Sequence, residues 1–274
     1  MGADMIESPW LAAIITLFLW WFSTGLILWR VRVADNGGPL DHLNSVVIAV
    51  PMLAVGLYAA RISLPDLSAN GIYTAFLSAL ALWGWIELAF LSGVITGPNH
   101  SPCPPFAPAG ERFWRAVGTI AWHETLLIVT MVGLGLASFH AANPFAFGTF
   151  ALLFFARISA KLNLFFGVPR INTQFLPRPL AHLPSHFRQG RITAFFPVSV
   201  SVLTVASALL LERAINVTVP GMSVGYALLT CLCLLALLEH WFMVLPLPDE
   251  KLWRWMMPAA KPQKERLSED PNGL

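Results

Sequence analysis

The stretch TIAWHETLLIVTM, Thr119 to Met131, sets His123 beside Glu124 inside a run that is otherwise suited to hydrocarbon. An imidazole next to a carboxylate can move a proton, ligate a metal or pair with a cation. At the bilayer centre a charged group costs about 2.5–3.5 kcal/mol on insertion scales, so such residues need partners at the same depth. Glu87, Arg157, Lys161, Glu239 and His240 are further ionisable residues within apolar runs. Arg157 and Lys161 are four apart and share a helix face. Neighbours on a helix point about 100° apart, so His123 and Glu124 are expected to face different partners rather than chelate one ion.

The elements that carry these residues follow from composition. The chain has 274 residues, of which 56% are hydrophobic and only 12% charged, and its mean hydropathy is +0.65. Soluble domains carry roughly 25% charged residues. The expected fold is all-α and polytopic, since about 20 apolar residues cross a hydrocarbon core. Seven runs qualify, at 10–30, 43–61, 72–94, 115–137, 145–166, 192–212 and 222–245. They make one transmembrane domain over 1–248, followed by a tail at 249–274.

Basic residues give the expected orientation. Arg30 and Arg32 flank the first loop, and Arg112 and Arg115 lie in or beside the third. Arg170, Arg178, Arg188 and Arg191 lie in the fifth, with more Lys and Arg in the tail, whereas the opposite loops hold only Arg61 and Arg213. Positive loops stay cytoplasmic, which places the N-terminus outside and the C-terminus in the cytoplasm. Asp4 and Glu7 precede the first span where a cleaved signal would carry a basic segment, so the span is expected to be retained. In "KLWRWMM" a short interfacial helix is expected, followed by disorder. Trp10, Trp29, Trp114 and Trp241 fall at span ends, as interface anchors do.

Counted from the expected cytoplasmic ends at 1.5 Å per residue, the ionisable residues lie roughly 7 to 14 Å deep. Four helices thus carry charge in one layer. Two readings fit it: a salt-bridge network that fixes packing, or a polar pocket for a substrate, a proton path or a cofactor. The pocket residues would be Glu87, His123, Glu124, Arg157, Lys161 and Asn163.

Other candidates are weaker. His182 and His186 in "AHLPSHF" have i, i+4 spacing, but Pro184 between them breaks a regular helix. Cys103 before Pro104 is the dipeptide of haem-responsive motifs, here in a Pro-rich loop. Asn172, Glu239 and His240 complete the set. The net charge of +2 is explained by topology, and no aromatic-interleaved basic module exists, so no nucleic acid is expected as a partner. Cys231 and Cys233 point to different sides of the last span, and three cysteines make no disulfide framework. Phosphate loops, dinucleotide fingerprints and C-x-x-C pairs are absent from the sequence.

The segments WGWIELAFLSGVITGP, ERFWRAVGTIAWHETLLI and ARISAKLNLFFGVPRINTQFLPRPLAHLPSHF resemble the PuhE-like family of photosynthetic complex assembly proteins. RISAKLNLFFGV is the most specific block. The matching positions are Glu87, Gly97, Pro98, Cys103, Pro104, Arg112, Phe113, His123, Glu124, Arg157, Ser159, Lys161, Asn163, Asn172, Leu176 and Pro177. GPNHSPCP is less basic than the family form, and Arg170 is more basic.

The resemblance implies a multi-pass protein of the bacterial inner membrane, cytoplasmic or intracytoplasmic, in anoxygenic phototrophs. Its members are encoded among photosynthesis genes and linked to pigment supply or complex assembly. Partners would be the lipid bilayer and reaction-centre subunits, light-harvesting subunits or pigment-synthesis enzymes. The ligand would be a tetrapyrrole, either a bacteriochlorophyll precursor or haem, or else a metal ion at His123 and Glu124. The expected role is non-enzymatic. The alternatives are a membrane-embedded enzyme of tetrapyrrole or quinone metabolism using His123 or Glu124, and a transporter, which the lack of broken-helix pairs disfavours.

Overall fold

The computed structural model describes residues 5–38, 40–247 and 251–254. Its helices are α1 (Pro9–Asp35), α2 (Asp41–Ile48), α3 (Val50–Ser63), α4 (Ala69–Leu91), α5 (Ala109–Ser138), α6 (Phe145–Phe166), α7 (Phe195–Asn216), α8 (Pro220–Phe242) and α9 (Lys251–Arg254). Short 3₁₀ turns lie at Arg178–Leu180 and Leu183–His186. With α2 and α3 taken as one interrupted run, Asp41–Ser63, seven helices are long and apolar enough to cross a membrane. That architecture is compatible with a polytopic membrane protein.

Local chemistry sets the helix boundaries. Pro9 and Pro220 open α1 and α8, where a missing N–H costs nothing. The Ser68 hydroxyl caps α4 by accepting the Gly71 N–H. The second run breaks at Ala49 because Pro51 has no N–H to donate and its ring crowds the preceding turn. The fifth predicted run, 145–166, coincides with α6. Helix α5 starts at Ala109 rather than near 115, and the Glu111–Arg115 pair at 2.7 Å stabilises that extra turn. α4 stops at Leu91, short of the expected 94, as Ser92 leads into Gly93 at φ +72°.

Helices α4 and α8 form the centre, with 56% and 61% of their spans buried, whereas α5 is 11% buried and lies at the periphery. Small residues permit the close approaches: Ala69, Ala75 and Ala79 are buried on α4, and a Cβ at Gly225 of α8 would meet the Phe145 ring at 2.3 Å. Phe76, Phe150, Leu82 and Leu228 fill the space between.

The fifth loop, on the face with most arginines, is tied down in several places. Val168 pairs with Gln189, the Arg170 N–H donates to Met243 O, and Arg32 donates to Gln174 O. Asp35 is buried and accepts the Arg178 N–H at 3.0 Å while facing His42 Nε2 at 3.2 Å. This loop therefore forms a fixed floor under the helices. α9 docks there too, with Trp253 packed edge-on against Trp20 and Phe175 and donating to Trp21 O. Where an interfacial helix was expected, the described part of the tail belongs to the floor. The rest of the tail, where disorder was expected, lies outside the described residues, as does Asp4.

Candidate functional site

Glu87 on α4, His123 and Glu124 on α5, and Arg157 and Lys161 on α6 converge in one cluster, in which Glu87 and His123 are buried and the other three half-buried. Arg157 Nη2 donates to Glu87 Oε2 at 3.1 Å, and Lys161 pairs with Glu124 Oε1. Between these two ion pairs lies His123, fully buried and tilted against the Phe90 ring at 4.3 Å. Its Nε2 is 3.9 Å from both Glu87 Oε1 and Glu124 Oε1. That distance is too long for a hydrogen bond, and neither ring nitrogen has a partner among the described residues. Glu124 is paired with Lys161, whereas His123 lies equidistant from Glu87 and Glu124.

An inserted segment fixes the position of His123. The His123 backbone N–H donates to Thr96 O, the Asn99 N–H to Gly118 O, and the Asn99 side chain to Arg115 O. Segment 92–99 therefore lies along α5 and shares its hydrogen bonding. A Cβ at Gly97 would meet Gly118 O at 2.1 Å, so only glycine permits this approach.

Beside the cluster is a cavity of about 380 Å³ between α1, α4, α6 and α8. Its apolar upper wall includes Ile27, Phe76, Leu80, Trp83 and Leu153. Glu87, Arg157, Glu239 and Asn172 supply its polar wall, with Trp20 and Trp253 alongside. Glu239 accepts from Trp20 Nε1 at 2.7 Å. The cluster and the adjoining wall thus hold three carboxylates, Glu87, Glu124 and Glu239, and two cations, Arg157 and Lys161. Glu239 is the carboxylate without a salt bridge of its own among the described residues. Glu239 is exposed on the cavity wall, where a ligand cation or hydrogen-bond donor can reach it.

A second cavity of about 250 Å³ lies between α4, α5, α6 and the fifth loop, lined largely by Phe90, Phe113, Phe165, Phe187 and Leu162.

The remaining sequence candidates fall elsewhere. Asn163 is buried but turned to α7, donating to Ser159 O and Ser199 Oγ. Ser159 bridges to α8 through His240 Nε2 at 2.9 Å, so His240 packs behind the cluster. Cys231 and Cys233 turn to Ala13 O and Leu203 O, on different sides. The Cys103 N–H donates to Ser185 Oγ, which also donates to His182 O. His182 lies edge-on to His100 at 5.9 Å. Burial lowers the pKa of both His182 and His186, with neighbouring His100 acting on the former and Arg115 and Arg112 on the latter.

No group of three or more His, Cys, Asp or Glu among the described residues could hold a metal ion. The cluster's donors agree: two of its carboxylates are committed to cations, and two positive groups flank His123. His123 also lines neither cavity, so it is not offered as an axial ligand to anything bound there. Sequence reasoning missed the Glu239–Trp20 bond, the inserted segment and the part played by Trp253. The Trp pair at 20 and 21, in mid-span instead of at an interface, was the one available signal.

The fold and site define a multi-helix protein of membrane type with a charged cluster beside a cavity between four helices. A family profile described as "Protein of unknown function (DUF3623)" matches residues 6–264, and the chain belongs to that family. It is 55% identical over 264 residues to a Rhodobacter capsulatus protein described as an uncharacterized 30.4 kDa protein in the puhA 5′ region, with 96% of each chain covered. No solved structure matches the chain.

Proposed function

We propose that this chain is a PuhE-type factor of the phototroph inner membrane that supplies bacteriochlorophyll or assembles photosynthetic complexes, holding a tetrapyrrole pigment or precursor in the larger cavity. The observation that carries the reading is the cavity itself, an apolar chamber whose polar wall holds Arg157 and Glu239 among aromatic residues. The puhA-region location of the Rhodobacter capsulatus relative supports the biological setting. Arg157 would pair with a pigment carboxylate or carbonyl, Glu239 would accept from a donor or balance a positive centre, and Trp20 and Trp83 would lie against the ring. The protein's contribution is binding, orientation and exclusion of water.

The test is a phototrophic host in which Arg157→Gln replaces the native chain at equal abundance. Normal pigment intermediates with a reduced yield of assembled complexes fit the proposal. Unchanged complex yield overturns it.

A second reading is an enzyme of tetrapyrrole or quinone metabolism. It is favoured by one observation: Glu87 lines the cavity, and its unpartnered Oε1 is the atom 3.9 Å from His123. Glu87 would then exchange a proton with the ligand, and His123 would position that carboxylate. Accumulation of an unconverted pigment or quinone precursor in Glu87→Gln would select this reading.

A further inference from the structure

The two cavities are neighbours. Leu91, Arg157, Ala160, Asn172 and Leu176 line both, so a single layer of side chains divides them. Their chemistries differ. The larger has charged groups from three helices on its wall. The smaller is dominated by four phenylalanines, Phe90, Phe113, Phe165 and Phe187. Lys161 also lines it, but its ammonium is held by Glu124 and lies 5.5 Å over the Phe90 ring, so its stem is what adjoins the apolar space. At the divider, Arg157 is anchored to Glu87, and Ala160 contributes only a methyl group.

From this juxtaposition we infer that the two cavities form one bipartite site for an amphiphile with a polar-edged ring head and a single long apolar chain. The head occupies the larger cavity, and the chain passes over Ala160 into the phenylalanine-lined one. The inference rests on the proposed head-binding cavity and deepens it by specifying a ligand that already carries its chain. A chain in the second cavity gains burial methylene by methylene, and the aromatic walls favour the branched, unsaturated surface of an isoprenoid. The second cavity's volume of about 250 Å³ admits only part of a long chain, so the remainder would extend beyond it.

The experiment compares two probes that share a ring, chlorophyllide a without the chain and chlorophyll a with an esterified C20 chain, on the full-length protein in mild detergent. Binding is read by quenching of tryptophan fluorescence, with geranylgeraniol and palmitate as competitors. Chlorophyll a is expected to bind at least about tenfold more tightly, and geranylgeraniol to compete better than palmitate. Ala116→Phe and Val117→Phe fill the second cavity from α5 without touching the first. Each is expected to remove the chain-dependent gain while leaving chlorophyllide a binding in place, which also shows that the variant is folded. Equal affinities for the two probes, or a gain that survives both substitutions, overturn the inference while the head site stands. Palmitate displacing the chain as well as geranylgeraniol overturns the isoprenoid preference. Absence of binding by either probe overturns the tetrapyrrole reading and the inference with it.

Discussion

Arg157 Nη2 donates to Glu87 Oε2 at 3.1 Å, joining α6 to α4 where both helices wall the larger cavity. Removing one partner leaves an uncompensated charge in a low-dielectric site, whereas replacing both with apolar groups removes the problem. Glu87→Gln alone is expected to cost about 1–3 kcal/mol, below the figure for a sealed pair because 40% of the Arg157 side chain stays open. The double variant Glu87→Leu/Arg157→Met should be the more stable of the two. Thermal unfolding in one detergent checks this, and a double variant less stable than Glu87→Gln contradicts it.

Gly97 is where segment 92–99 touches α5. Gly97→Ala brings a methyl group to 2.1 Å from Gly118 O, so the segment must move and the His123 N–H loses Thr96 O. Its expected cost is about 1–3 kcal/mol. Gly110→Ala, whose Cβ would meet nothing within 4 Å, should be neutral or slightly stabilising, since it also lies in a helix. Melting temperatures of the two variants side by side decide the point.

Stability should fall in mild acid through His182 and His186, because burial lowers the pKa of each from 6.5. A group whose folded pKa lies below its unfolded one favours the neutral form in the fold. The contribution is therefore complete above pH 6.5 and is lost as pH falls below that value, where the unfolded chain takes up protons first. The charged or titratable neighbours acting on them are His100 and His186 for His182, and Arg115 and Arg112 for His186; backbone hydrogen bonds at His182 and Leu183 oppose the shift of His186 without reversing it. Unfolding measured between pH 5 and 7.5 should show this slope, and His182→Gln/His186→Gln should flatten it.

Much of this was legible in the sequence for a physical reason: hydropathy and helical rise fix depth. Counted from the expected span ends, Glu87, His123, Glu124, Arg157 and Lys161 fall in one layer, although α4 ends earlier and α5 begins earlier than expected, and i, i+4 spacing put Arg157 and Lys161 on one face. Rotation about the helix axis is set by packing between helices, which depth does not encode. Asn163 was expected among the pocket residues yet faces Ser199 on α7, and Glu239, assigned to the same layer, lies on the cavity wall with Trp20 instead of in the ion-pair cluster. The break at Ala49 was readable from Pro51. The insertion of 92–99 against α5 was not, since it rests on backbone contacts that hydropathy cannot register.

Trp253 lines the larger cavity, packed edge-on against Trp20 and Phe175. Trp253→Ala should therefore open the chamber and weaken chlorophyllide a binding several-fold, with a small change in melting temperature because α9 packs at the edge of the fold. Fluorescence titration and a melting curve on the same sample separate these effects. Unchanged affinity would mean that α9 plays no part in closure.

The most direct test of the central claim is an absorption spectrum of the protein purified in mild detergent from a pigment-producing host, beside Arg157→Gln and Glu239→Gln. A tetrapyrrole band near one per chain in the native protein, lost or strongly reduced in both variants at equal protein yield, is the predicted result. Colourless protein that also fails to take up added chlorophyllide a or chlorophyll a, together with variants that are merely less stable, would contradict it and leave the charged layer a device for holding helices together.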